Sequence, residues 1–212
     1  MTKSNLKPLL SEVLRPKCLS DLIVPKSSKQ ILEKFVSDKS IMNITFYGSP
    51  GAGKTSAARM ILDVIDADVY KINGSEHPVD KNLAKNINNF ASTCSFEAKI
   101  KVVFIDEADK LEKNVQEALR YIIENTSFNC RYLLTVNDIS KITEALQSRC
   151  MPICFDVPKK ELDSIIQSAV SKYSKKIEEQ NINIDPQTIK EIVELRFPDY
   201  RSIANHLESA SK

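Results

Sequence analysis

After residue 25, short apolar runs alternate along the chain with segments whose apolar residues recur every three or four positions. This alternation is typical of an α/β fold with parallel strands. Five runs, rich in β-branched and aromatic residues, are too apolar for a half-exposed sheet and predict strands at 41–47, 68–72, 100–105, 130–136 and 152–155. Between them, the helical periodicity predicts crossover helices at 54–65, 81–90 and 115–125. The pattern therefore predicts a five-stranded parallel core.

Helical segments flank this core on both sides. A helix is predicted at 27–37, with Ser27 as its cap. After Pro158 no strand-like run follows, and helices are predicted at 159–180, 186–196 and 200–210. Prolines and scattered apolar residues in the first 25 positions predict an extended arm laid against the domain. We expect an arm at 1–25, an α/β core at 26–157 and a small all-helical domain at 158–212.

Glycine is scarce and concentrated in one loop. The 212 residues include 4 glycines, three of which lie within six positions, at Gly48, Gly51 and Gly53. The segment from Gly48 to Thr55 fits the pattern G-x-x-x-x-G-K-[ST] and lies between a predicted strand and a helix. In such a loop, backbone N–H groups surround phosphates, Lys54 places a charge beside them, and the Thr55 hydroxyl ligates Mg²⁺. The alternative is a glycine turn that happens to precede a lysine, which the strand–loop–helix setting disfavours.

The third predicted strand ends in two adjacent carboxylates, Asp106 and Glu107. Side chains at successive strand positions diverge, so the two can serve different tasks: Asp106 holds Mg²⁺ through its water shell, and Glu107 deprotonates the attacking water. The alternative is a solvated acidic turn. The letters Asp-Glu-Ala-Asp at 106–109 also occur in a helicase family, but 212 residues leave no room for the second lobe of such a helicase.

Three further polar residues are candidates on position alone. Asn137 ends the fourth predicted strand, at the sheet edge where ligands of open α/β folds bind, but asparagine is also an ordinary turn residue. Arg149 precedes the last strand and is either a solvated surface arginine, the reading favoured by position alone, or a residue that reaches a neighbouring subunit's phosphate. Whether Arg201 projects onto the phosphates is not decided by spacing.

Composition narrows the possible partners and compartments. The formal net charge is +2, so any contact with nucleic acid must be local. Five cysteines without a C-x-x-C pair, and an N-terminus without an apolar signal stretch, favour a cytoplasmic protein with reduced thiols. The two histidines lack the spacing of a zinc site, and no apolar run is long enough to span a membrane.

Taken in order, these residues resemble a family. The chain is similar to the ATPase subunits of sliding-clamp loaders, which are AAA+ ATPases, and most of all to those of bacteriophages. The resemblance rests on Leu14-Arg15-Pro16, the phosphate loop, Asn73-Gly74-Ser75, Asp106-Glu107, the helix 116–120, Asn137, Ser148-Arg149-Cys150 and Pro198-Asp199-Tyr200-Arg201. It implies an AAA+ P-loop core followed by a helical lid.

The resemblance also implies roles for individual residues. Adenine would be flanked by Ser11, Glu12, Val13, Leu14 and Ile23, and the phosphates would be wrapped by Gly51, Ala52, Gly53, Lys54, Thr55 and Ser56. Asn137 and Arg201 would be the two sensors of nucleotide state, and Arg149 the arginine finger of the adjacent subunit's site. Gln116 would couple the catalytic and DNA-binding faces. Phosphate contacts to DNA would come from Lys81, Asn82, Lys85, Lys113 and Asn114, for which ordinary solvated side chains are the alternative.

The implied activity is DNA-dependent ATP hydrolysis with Mg²⁺, which opens a sliding clamp and loads it onto primer–template DNA. The implied partners are the clamp, the DNA, further copies of the subunit and a small companion subunit, with no membrane, in the cytoplasm of an infected bacterium if the phage likeness holds. Two features depart from the family: Tyr121 follows Arg120 where arginines are often paired, and the chain ends at Lys212, before the helical collar.

Two other functions remain open. Another AAA+ machine, such as a helicase loader or a replication initiator, would share the nucleotide site but lack the Ser-Arg-Cys triplet. A non-catalytic module that binds ATP as structural glue would have no use for a base such as Glu107.

Overall fold

The predicted five-stranded parallel sheet is present. A computed structural model describes residues 9–76, 82–95 and 100–211. The strands are β1 Ile44–Tyr47, β2 Asp68–Asn73, β3 Lys101–Asp106, β4 Cys130–Val136 and β5 Met151–Cys154, and they lie in the order β2-β3-β4-β1-β5, with every neighbouring pair parallel. Because all the strands run the same way, the carboxyl ends of β1, β3 and β4 meet at one edge.

The helices of the described residues alternate with these strands and then continue without them. They are α1 Leu10–Val13, α2 Lys26–Ser37, α3 Lys54–Val64, α4 Leu83–Ser92, α5 Lys113–Thr126, α6 Glu144–Gln147, α7 Leu162–Glu179, α8 Pro186–Arg196 and α9 Tyr200–Ala210. Short 3₁₀ turns lie at Leu19–Asp21, Ala108–Lys110, Ile139–Lys141 and Lys159–Glu161. Helices α7, α8 and α9 form the predicted all-helical region, which we call the lid. None of the helices in the described ranges is long and apolar enough to cross a membrane.

The sheet is buried on both faces, as its apolar strands require. Successive residues of β3 alternate between two apolar clusters: Val102 and Phe104 face the cluster under α2 and α3, whereas Val103 and Ile105 face the cluster under α4 and α5. The sheet therefore forms the middle of three layers, and the ends of its strands are the part left open to a ligand.

Two predicted element ends are wrong for identifiable reasons. Strand β1 begins at Ile44 rather than 41 because the side chain of Asn43, and not its backbone, pairs with strand β4. Asn43 Oδ1 accepts the Tyr132 N–H at 3.1 Å. Helix α2 begins at Lys26, so Ser27 lies inside it and makes no capping hydrogen bond. Glu161 instead accepts the Lys26 N–H at 3.0 Å.

The arm differs most from its prediction. Its described part, from residue 9 onward, is not a continuous extended segment, since it contains α1 and the turn Leu19–Asp21. Leu10 and Leu14 are buried in a third apolar cluster, with residues of α7, α8 and α9, whereas Leu22 belongs to a cluster of the sheet. The described part of the arm therefore joins the lid to the core.

The apolar cluster of the lid contributes to the free energy of unfolding. Leu207 of α9 is fully buried there, whereas Leu195 of α8 is 76% exposed. We expect Leu207→Ala to lower the free energy of unfolding by about 2–5 kcal/mol, because it removes buried contacts and leaves a cavity. Leu195→Ala is the matched control and should change it by less than about 0.5 kcal/mol. Urea unfolding followed by circular dichroism measures both, and equal effects would contradict the burial assigned to Leu207.

Candidate active site

The loop between β1 and α3 has the backbone that its glycines permit. Gly51 and Gly53 adopt φ of 77° and 89°, a left-handed conformation that side chains disfavour. A Cβ at Gly51 would also overlap the carboxylate of Asp199, at the start of α9. The Gly51 carbonyl accepts the Tyr200 N–H at 3.1 Å. The loop is thus in direct contact with the lid, which the sequence did not predict.

Lys54 is drawn inward beneath this loop. Its side chain is buried, and Nζ donates to the carbonyl oxygens of Gly48 at 2.7 Å and Ser49 at 2.8 Å. Burial lowers the pKa of Lys54, and the carboxylates of Asp156 and Asp109 oppose that shift. A buried ammonium at the first turn of α3 favours an anionic ligand, as do the N–H groups of a helix N-terminus.

Asp106 joins its own strand β3 to helix α3 and strand β4. Its Oδ1 accepts hydrogen bonds from Thr55 Oγ1 at 2.8 Å and Thr135 Oγ1 at 2.5 Å. The Thr135 hydroxyl in turn accepts the Glu107 N–H at 3.0 Å. Thr135 therefore positions both acidic residues, and the sequence analysis missed it. The available signal was a hydroxyl within the apolar strand β4, two residues before Asn137.

Glu107 is held by the turn that follows β2. Its backbone is left-handed, at φ 55°, and its carboxylate accepts a hydrogen bond from Ser75 Oγ. The Gly74 N–H donates to the Asp106 carbonyl at 2.7 Å, and a Cβ at Gly74 would overlap the Glu107 carbonyl. The Asn73-Gly74-Ser75 turn therefore orients the candidate base, a contact that sequence spacing did not reveal.

A cavity of about 440 Å³ collects most of the predicted residues. Its walls include Glu12, Leu14 and Ile23 from the arm, the loop and first turn from Gly51 to Ser56, the strand-end residues Asp106, Glu107 and Asn137, and Arg201 from the lid. Val13 instead packs against the lid's apolar cluster, and the side chain of Ser11 lies outside what the structure describes. Wall residues that the sequence analysis did not propose include Arg59, Thr135, Lys172, Lys176 and Tyr200.

Arg149 lies apart from this cavity. Its guanidinium contacts the Glu124 carboxylate of α5, with Nε 2.9 Å from Oε1, and donates to Ser148 Oγ at 2.6 Å. Hydrogen bonding from Arg149 lowers the pKa of Glu124, which also pairs with Arg120. Arg149 thus belongs to a charged group on the surface, and nothing in its position serves the cavity of its own chain.

The candidate DNA contacts lie at two neighbouring helix starts. Lys113 and Asn114 are exposed on the first turn of α5, and Asn82 and Lys85 are exposed at the start of α4, which packs against α5. Lys81 lies outside the described residues. Both helices begin at the carboxyl edge of the sheet, so this surface adjoins the Glu107 region.

Comparison with known proteins identifies the family of this chain. The model of the ATPase family associated with various cellular activities (AAA) matches residues 44–157, which include the loop, Asp106, Glu107 and Asn137. The chain belongs to the AAA family of ATPases. This AAA ATPase is 32% identical over its whole length to the sliding-clamp-loader large subunit of Enterobacteria phage T4, of which it spans 67%. It is 33% identical, over 93% of its length, to replication factor C subunit 3 of Schizosaccharomyces pombe, of which it spans 58%.

The fold also matches that of solved structures. The RuvB Holliday junction branch migration motor of Thermotoga maritima matches 93% of this AAA ATPase and 64% of its own chain, with a TM-score of 0.68 and 24% identity. This likeness concerns the fold alone.

The Thr135 contacts predict a catalytic defect. Thr135→Val keeps the shape of the side chain but removes its hydrogen bonds to Asp106 and to the Glu107 N–H. The loss of these hydrogen bonds costs about 1–2 kcal/mol. We therefore expect kcat for ATP hydrolysis to fall about tenfold. The control is Thr45→Val on the adjacent strand β1, where the threonine is equally buried and its hydroxyl makes no hydrogen bond to Asp106 or Glu107 within the described residues. Steady-state turnover measures both variants, and an unchanged kcat in Thr135→Val would refute the positioning role.

Proposed function

We propose that this AAA ATPase is the ATP-hydrolysing subunit of a DNA polymerase sliding-clamp loader. The observation that carries the proposal is the 32% identity with a clamp-loader large subunit over all of this chain, together with a cavity that gathers the loop, both carboxylates and a lid arginine. Its partners would be the clamp, primer–template DNA, further copies of the chain and a small companion subunit.

The cavity suits a nucleoside triphosphate. The phosphates would lie against the N–H groups of the loop and Lys54, and the base would lie at the opposite end, between the arm and the lid. The oxygen atoms of Thr55 and Asp106, 2.8 Å apart, are the hard donors that Mg²⁺ prefers. Bound there, Mg²⁺ would neutralise charge on the phosphates.

The chain's own residues would then activate water. Glu107 is the candidate general base, since it lines the cavity beside Asp106. Asn137 lines the same wall and would orient the water or the γ-phosphate, and Arg201 would approach the phosphates from the lid. In the described state Ser75 Oγ donates to one oxygen of the Glu107 carboxylate, which keeps acceptor capacity for the water.

Arg149 would act on a neighbouring copy. It lies outside its own cavity and contacts the partly exposed Glu124, which supports a role at another subunit's nucleotide rather than at its own. In such an assembly, phosphate charge would replace the Glu124 carboxylate as the partner of the guanidinium. The completed site would then exist only between subunits.

Contacts with DNA would be local. The DNA backbone phosphates would be contacted by Lys85, Lys113, Asn82 and Asn114, with Lys81 nearby in sequence. The contacts would be confined to this surface because the net charge of +2 provides no wider basic field. Phosphate contacts of this kind carry no sequence preference, as a protein acting at any primer end requires.

ATP turnover tests the proposal. It is measured for the chain alone, with its sliding clamp, and with the clamp and primed DNA together. We expect each addition to raise the rate, because assembly completes the sites between subunits. Turnover that neither addition stimulates would overturn the clamp-loader function and leave the ATPase activity intact.

The trans role of Arg149 makes a sharper prediction. Arg149→Ala should reduce stimulated turnover by about 10³-fold or more, the usual effect of losing an arginine finger. ATP affinity of the isolated subunit should change by less than about twofold, because Arg149 does not contribute to that cavity. Arg196→Ala, an exposed arginine of α8, is the control. A large loss of affinity in isolated Arg149→Ala would contradict the assignment.

A further inference from the structure

Two lysines of α7 hold the turn of the arm at Leu19–Asp21. Lys172 Nζ donates to the carbonyl oxygens of Ser20 at 2.6 Å and Leu22 at 3.2 Å. Lys176, one helical turn further on, pairs with Asp21, with Nζ 3.0 Å from Oδ2. About 150 residues separate the two elements in sequence, so the lid supplies these contacts by tertiary folding.

These contacts differ from the other lysine pairs of the lid. The side chains of Lys176 and Asp21 are 22% and 26% exposed, whereas those of Lys175 and Glu179 on the same helix are 78% and 56% exposed. Burial raises the pKa of Asp21, but the hydrogen bonds from the Lys17 N–H and the Lys176 ammonium outweigh it and hold the pKa below its usual value. A charge-assisted hydrogen bond in a partly buried place is stronger than an exposed ion pair.

The same turn forms a wall of the nucleotide cavity. Asp21, Leu22 and Ile23 line it, as do Lys172 and Lys176 themselves. Tyr200 fixes the other end of this wall, since its Oη donates to the Ile23 carbonyl at 2.6 Å. Both attachments come from the lid, whereas the Leu22 side chain packs in the apolar cluster of the sheet, so the lid and the sheet together position this wall.

We propose that Lys172 is a positioning residue for the base of the bound nucleotide. By holding the Ser20 and Leu22 carbonyls, it sets the apolar wall of Leu22 and Ile23 against which a purine would pack. The inference rests on the proposed nucleotide site and deepens it, because it assigns base binding to the contact between arm and lid. A phosphate-binding role for Lys172 is the competing explanation.

The two explanations predict different ligand dependence. If Lys172 positions the base wall, its loss weakens ligands that carry a base and spares inorganic triphosphate. If it contacts phosphate, both kinds of ligand weaken together.

The experiment compares equilibrium binding of ATP and inorganic tripolyphosphate, with Mg²⁺, to the full chain and its variants. Lys172→Met keeps the side-chain stem and should raise the Kd for ATP about tenfold, as expected for lost charge-assisted hydrogen bonds, and the KM similarly. Its Kd for tripolyphosphate should change by less than about twofold. Lys172→Arg should restore part of the ATP affinity, and the control Lys175→Met should match wild type.

The outcomes separate this inference from the proposed function. ATP affinity unchanged in Lys172→Met, or an equal loss for ATP and tripolyphosphate, would overturn the inference alone. Failure of the wild-type chain to bind ATP would overturn the proposed site and the inference together. Lys176→Gln keeps the inference testable if Lys172→Met does not fold: it should show the same preference for losing ATP over tripolyphosphate, to a smaller extent, and equal losses there would also overturn it.

Discussion

The Asp106 carboxylate is the interaction on which the candidate site depends. It accepts from Thr55 at the start of α3 and from Thr135 on β4, and it ends β3 itself, so one side chain joins three elements. The parallel register makes this possible, since it brings the ends of β1, β3 and β4 to one edge. A single antiparallel strand in that group would place its polar end at the opposite edge and separate the loop from the acid pair.

Much of the sheet and the loop was predictable because the signals are local. Strand β4 coincides with its apolar run. The glycines of the loop indicate a left-handed backbone, which glycine adopts most easily. Thr135 was missed because a threonine within a strand is also an ordinary β-former. Strand β1 was predicted three residues too long because periodicity does not reveal that the Asn43 side chain replaces a backbone partner.

The contacts between distant segments were not predictable from spacing. The sequence predicts an extended arm, yet Leu10 and Leu14 of the arm pack in the apolar cluster of the lid. The two residues of the Arg149 and Glu124 pair are 25 positions apart, with Glu124 on α5 and Arg149 in the turn before β5, and either would be interpreted alone as a solvated charge. Side chains such as these pair because the fold brings them together. Such pairs have no fixed spacing along the sequence, so spacing does not predict them.

The position of the arm changes how nucleotide binding acts on the fold. The cavity has one wall on the sheet, with the loop and Asp106, and another on the arm and lid, joined by Lys172, Lys176 and Tyr200. A ligand that contacts both walls stabilises the arrangement that brings them together, by an amount that grows with ligand concentration relative to Kd. The Tyr200 N–H, which donates to the Gly51 carbonyl, already links the lid to the loop that would hold the phosphates. A change at the phosphate end would therefore reach the lid through this contact.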